Sequence, residues 1–187
     1  MGRVRYGISN VYYAVATEGT GGALTYGTPT AIKGVKSASF TPAGNEVREY
    51  ADNVTWFSTV TNNGYTGTIE FEDTDECDAF IAAVLGHTVG TDGTILESAN
   101  DVPKEFAIMF QFELAGSTET GKRGCFYRVT ATRANLEGQT KEDSLTINTN
   151  TVNFTALPRI NDGAIKLSAV STDSAYATWF SAVPEQA

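Results

Sequence analysis

Apolar and polar residues alternate along most of this chain, and the clearest run spans Lys104 to Leu114. There Phe106, Ile108, Phe110, Phe112 and Leu114 share one parity, while Glu105, Ala107, Met109, Gln111 and Glu113 share the other. Period two predicts a long half-buried strand, with one face on a core and the other toward water or a partner. The turn-rich stretch AGSTETGKRG over 115–124 follows, and Cys125, Tyr127, Val129 and Ala131 then resume alternation. Together these segments predict a long hairpin with a mobile polar tip at 115–124. Runs of β-branched and aromatic residues predict further strands over Val11 to Thr17, Val35 to Thr41, Glu46 to Ala51, Val54 to Val60, Tyr65 to Glu72 and Ser144 to Leu157. In the last of these the apolar parity passes from Leu145 and Ile147 to Val152, Phe154 and Ala156, which calls for a bulge or a strand shared by two sheets.

Helical spacing is confined to two places. Asp73 and Glu76 form a candidate capping box, after which Cys77, Phe80, Ile81, Val84 and Leu85 recur at helical intervals up to Gly86. A second, shorter helix is expected over 174–181, started by Asp173, stopped before Pro184, and carrying Tyr176, Trp179 and Phe180 on its apolar side. No repeat or linker divides the chain, so residues 1–187 read as a single, mainly β domain.

Composition narrows the function classes. A chain of 187 residues with 41% hydrophobic and 19% charged residues lies in the globular range and needs no cross-links to fold. Thirteen Lys and Arg against 22 Asp and Glu leave a net charge of −9, a surface that repels phosphate and disfavours adhesive nucleic-acid binding. The same balance is equally explained by solubility alone. Two cysteines, Cys77 and Cys125, are too few for a disulfide framework, lack Cys-x-x-Cys spacing, and are expected as buried thiols. The opening lacks the apolar run of a signal peptide and no stretch reaches transmembrane length. The expectation is a protein made and kept in a cytoplasm, or in something assembled there, without a membrane partner.

The sequence holds no catalytic constellation. His87 is the only histidine; no nucleophile motif accompanies it, and its place after Gly86 suits a helix C-terminus. The acidic cluster Glu70, Glu72, Asp73, Asp75, Glu76 and Asp78 lacks the glycine and terminal glutamate of a calcium loop; strand-end charges and a helix N-terminus account for it. Gly19, Gly21 and Gly22 do not join a strand to a helix in the nucleotide-binding manner, and neither a metal nor a cofactor is expected. The chain reads as a non-enzymatic structural protein.

Taken in order, several segments resemble the major tail proteins of long-tailed bacteriophages. They are Gly7-Ile8-Ser9-Asn10-Val11-Tyr12-Tyr13-Ala14, Leu24-Thr25-Tyr26-Gly27-Thr28-Pro29, Tyr50-Ala51-Asp52-Asn53, Gly67-Thr68-Ile69-Glu70, Leu85-Gly86, Thr140-Lys141-Glu142-Asp143-Ser144, and Phe154-Thr155-Ala156-Leu157-Pro158-Arg159 before Asp162-Gly163. The resemblance implies a β-sandwich or incomplete barrel with long hairpins and one flanking α-helix. It further implies a subunit of the tail tube of non-contractile tails, forming hexameric rings that stack into a conduit for genome passage. Location in the virion after synthesis in the host bacterial cytoplasm is implied too. So are contacts with the tape measure, tail terminator and distal tail proteins. Some relatives carry a C-terminal immunoglobulin-like domain; none is expected before Ala187.

A tube subunit needs edges that pair with neighbours, arms that lock rings, and a bore that does not hold DNA. The stretch 41–63 is the candidate arm, with Tyr50, Asp52, Asn53, Trp56 and Phe57 as candidate subunit contacts. The alternative is an ordinary hairpin folded on its own sheet. Strand Tyr65 to Ile69 is a candidate edge. Glu70, Glu72, Glu105 and Glu113, opposite the apolar parities of their strands, are the candidate bore carboxylates. Three other readings remain open: a carbohydrate-binding or adhesive β-sandwich, which would display clustered Trp and Tyr; a β-sandwich hydrolase; and the inner tube of a contractile tail or secretion machine.

Overall fold

The computed structural model describes residues 3–116, 118–136, 140 and 149–186. The chain opens with β1 (Val4–Glu18), then β2 (Leu24–Tyr26), β3 (Thr30–Ile32), β4 (Val35–Pro42), β5 (Glu46–Ala51), β6 (Val54–Val60) and β7 (Tyr65–Glu72). After α1 (Asp75–Leu85) come β8 (Thr88–Val89) and β9 (Ile95–Leu96), then β10 (Phe106–Ala115), β11 (Gly121–Ala131), β12 (Thr149–Leu157) and β13 (Lys166–Val170). The strands expected over 46–51, 54–60 and 65–72 occur with those bounds. The parity change expected at Leu145 and Ile147 lies outside the described residues; Val152, Phe154 and Ala156 of β12 do point inward and are buried.

The main sheet is antiparallel and runs β2-β1-β10-β11-β12-β7-β4, with β3 beside β1 and β13 beside β11. It curls on itself. Phe40 on β4 stacks on Phe110 of β10 at 4.5 Å and reaches Phe126 of β11 at 5.1 Å and Phe154 of β12 at 5.5 Å. Since β4 also approaches β1 without pairing to it, the fold is an incomplete barrel open between those two strands. Two bulges bend β1 for this closure, at Gly7 (φ 56°) and Asn10 (φ 49°), where its register against β10 shifts. The second bulge also moves the inward parity from Ile8 to Val11 and Tyr13, which is why strict alternation revealed only the second half of β1.

One core fills the barrel and a second lies outside it. Inside, Ile69, Phe71, Phe106, Ile108, Phe126 and Val129 belong to one continuous cluster with Cys77, Phe80, Val84 and Leu85 of α1. Phe80 of α1 is the plug, meeting Tyr13 at 5.0 Å, Phe71 at 6.0 Å and Phe106 at 5.7 Å, all edge-on. Thr74, rather than Asp73, caps this helix: its Oγ1 accepts from the Cys77 backbone N–H at 3.2 Å. No capping box forms, because a cap at Thr74 puts Cys77 rather than Glu76 at the third helical position. Gly86 ends the helix at φ 80°, and a Cβ there would lie 2.5 Å from the Val102 carbonyl oxygen, so only glycine fits.

The outer core corrects two expectations. The second parity of β10 does not meet water, because Ala107 and Met109 are buried with Cys125, Tyr127, Ala169 and Trp179. What covers them is the segment expected as a helix over 174–181, which is a single 3-10 turn (Ser174–Tyr176) followed by further turns. Its aromatic residues are anchors: Trp179 is buried and Phe180 stacks on Tyr12 at 4.7 Å. Arg159 ties the segment down through Glu185 at 2.6 Å while its guanidinium lies 4.2 Å over the Tyr127 ring. The phenylalanines of β10 do not share one partner. Only Phe106 meets the helix; the other two lie four and six residues further along β10, roughly 13 to 20 Å away at the rise of a strand.

Candidate assembly surfaces

Residues 43–64 leave the barrel between β4 and β7 as a free-standing hairpin. Among the described residues β5 and β6 pair only with each other, and every residue of both strands is exposed. Asp52 (φ 52°) and Asn53 (φ 60°) form the connection, both left-handed, as a two-residue primed turn requires. Two of the five candidate contacts are therefore turn formers. The root is rigid: Ala43 N–H donates to Gly64 O at 2.9 Å, and Thr61 N–H to Asn45 O at 2.9 Å. Gly64 (φ 99°) makes the exit possible, since a Cβ there would stand 1.9 Å from the Ala156 carbonyl oxygen. Val47, Tyr50, Val54, Trp56, Phe57 and Val60 are all exposed on this hairpin, Trp56 at 75%. The stretch is not folded on its own sheet.

The four candidate bore carboxylates are not brought together. Glu70 and Glu72 stand on β7, Glu105 precedes β10 and Glu113 lies on it, and β11 and β12 separate the two strands on one side of the barrel. Glu70 accepts from Thr149 Oγ1 at 2.9 Å and Ser37 Oγ at 3.1 Å, which holds its carboxyl below the usual range. Glu72 faces Lys36 at 3.4 Å. Glu105 binds Arg128 at 2.7 Å, and Glu113 accepts from Ser9 Oγ and Gln111 Nε2, both at 2.9 Å. The hairpin tip expected as mobile is pinned in its described part, with Thr120 N–H donating to Ser171 Oγ at 2.9 Å and Arg3 paired with Glu119.

A third surface escaped the sequence reading. At the end of the barrel away from α1, Phe40, Tyr65, Phe110, Phe112 and Phe126 surround an open cavity of about 230 Å³. Arg5, Lys122 and Lys166 rim it, whereas the Arg123 guanidinium turns to the outer face, 3.7 Å over the Tyr176 ring and 4.6 Å over that of Phe180. Arg5 lies 4.6 Å over Phe112, and Lys166 lies 4.8 Å over Tyr65. Gly124 is needed at its wall, because a Cβ would meet the Phe110 ring at 2.6 Å. The three cations come from three strands distant in sequence, so the only linear trace was Lys122, assigned to the polar tip.

The remaining candidate chemistry is accounted for by packing. His87 lies with Nε2 4.0 Å from Asp101 Oδ2 beyond the helix end. In the acidic cluster, Glu76 pairs with Lys33 at 2.9 Å and Asp73 accepts from Asn150 Nδ2 at 3.0 Å. Among the described residues no three His, Cys, Asp or Glu side chains gather as metal ligands, and no helix is long and apolar enough to cross a membrane. Burial pushes the Cys77 thiol up to about 11 and the Cys125 thiol higher still.

Fold and surfaces together define a class: an incomplete β-barrel with one plugging helix and one projecting, apolar-faced arm. No protein-family model matches the chain, and no curated protein matches it either.

Proposed function

We propose that this chain is a structural, non-enzymatic subunit that polymerises through its arm into stacked rings, forming a tail-tube conduit through which a phage genome passes. The observation that carries the reading is the arm: six large apolar side chains on a hairpin that buries none of them. A two-stranded hairpin alone is marginal in water, and an exposed apolar surface of this kind marks a site of association. The bulged register of β5 against β6 protects its edges from unregulated pairing until a specific partner arrives. The resemblance of the chain's ordered segments to tail-tube proteins supplies the kind of assembly. Burial of Trp179 removes one of two tryptophans from any sugar-binding platform, so the carbohydrate reading is not favoured.

The test replaces Tyr50, Trp56 and Phe57 together by Ala and compares concentrated wild type and variant by negative-stain microscopy and sedimentation. Interface aromatics commonly cost about 2 kcal/mol or more each on truncation, so wild type should form rings or tubes while the variant stays monomeric with unchanged circular dichroism. Equal polymerisation of both would refute the role of the arm.

A further inference from the structure

The aromatic mouth and the arm are complementary, and we infer that the mouth of one subunit is the receptor for the arm of a second copy. The inference rests on the assembly reading above and names the site that reading leaves open. Charge decides the pairing. Among the described residues five cations lack a carboxylate partner, and three of them, Arg5, Lys122 and Lys166, rim the mouth. This is a concentrated positive site on a chain of net charge −9. The arm carries the opposite sign: Arg48 is taken by Glu46 at 2.7 Å, while Glu49 and Asp52 have no cation among the described residues.

Shape and apolar character agree. The cavity floor is aromatic and the arm offers Trp56, Phe57 and Tyr50, exposed in the single subunit. Cations stacked over the rim rings can reach an arriving ring or carboxylate from the same positions. The arm cannot serve its own mouth. Pro42 and Tyr65, between which it emerges, both line the cavity, yet every residue of β5 and β6 is exposed, so the arm does not fold back into it. Arm into mouth is therefore a heterologous contact, repeated from copy to copy, which closes as a ring or continues as a filament. Basic and aromatic groups together also suit a single nucleic-acid strand. The unpaired carboxylates and unburied rings of the arm favour the second copy.

Charge exchange on the full chain tests this. Lys122→Glu with Lys166→Glu, and separately Glu49→Lys with Asp52→Lys, should each raise the concentration needed for assembly about tenfold or more, and all four together should restore it. Circular dichroism verifies folding. As an independent measurement, chains bearing Thr55→Cys are mixed with chains bearing Ser168→Cys; oxidation should yield disulfide-linked pairs of unlike chains. Wild-type assembly that persists unchanged in the Lys122/Lys166 variant, or a fourfold variant that folds but does not recover, overturns the docking while leaving the tube reading intact. Wild type that never assembles overturns both. Binding of a single-stranded oligonucleotide that is lost in the Lys122/Lys166 variant, with assembly unaffected, would assign the mouth to nucleic acid instead.

Discussion

Replacing Phe80 by Ala separates the work of the barrel core from that of the arm. The side chain is 1% exposed and held edge-on by Tyr13, Phe71 and Phe106, rings that come from three different strands. Truncating a buried Phe to Ala costs about 3 to 5 kcal/mol, through lost transfer energy and the cavity left behind. Three surrounding rings fixed on a curled sheet collapse poorly into that space, so the upper half of the range is expected. For a chain of this length about 2 to 4 °C of melting temperature accompanies each kcal/mol, giving a drop of roughly 8 to 20 °C. Urea titration followed by circular dichroism on the arm-deficient monomer avoids interference from assembly. Trp56→Ala on the same scale should move stability by no more than about 0.5 kcal/mol, because the side chain touches mostly water in the single subunit. A Phe80→Ala loss below about 1 kcal/mol, or a Trp56→Ala loss above about 2, would refute the division between a plugging helix and a free arm.

Three other outcomes follow from particular residues. Thr74→Ala should cost about 1 kcal/mol by removing the acceptor of the Cys77 N–H, and Asp73→Ala distinctly less, as read by chemical denaturation. Both thiols are buried and held protonated, so Ellman's reagent at pH 8 should find none in the native protein and both after unfolding. Burial pushes Tyr26 up to about 12, so the unfolded chain loses this proton first as pH rises. The contribution of Tyr26 to stability is full below about pH 10 and is lost as pH climbs through about 12. Tyr26→Phe should flatten that alkaline limb in urea titrations at successive pH values, and an unchanged slope would contradict it.

Local order in the sequence determined what local physics controls. The β-branched and aromatic runs over 46–51, 54–60 and 65–72, the helical spacing from Cys77 to Leu85, and glycine at 86 each fix an element whose preference needs no distant partner. The exposure of the arm was half legible, since Tyr50, Trp56 and Phe57 sit among polar and turn residues, but nothing in the sequence excluded a hairpin folded on its own sheet. Tertiary structure decided the rest. The second face of β10 is buried only because residues 174–183 cross it without forming a helix, held by Trp179 and by the Arg159 contact with Glu185. Side-chain alternation identifies two faces of a strand but not what lies on each. The aromatic mouth is a more distant consequence: Phe40, Phe110 and Phe126 meet only when the sheet curls, and Arg5, Lys122 and Lys166 converge only because the ends of β1, β11 and β13 share one rim. Strand curvature and long-range register set those positions, and neither is encoded in a window short enough to read from the sequence alone.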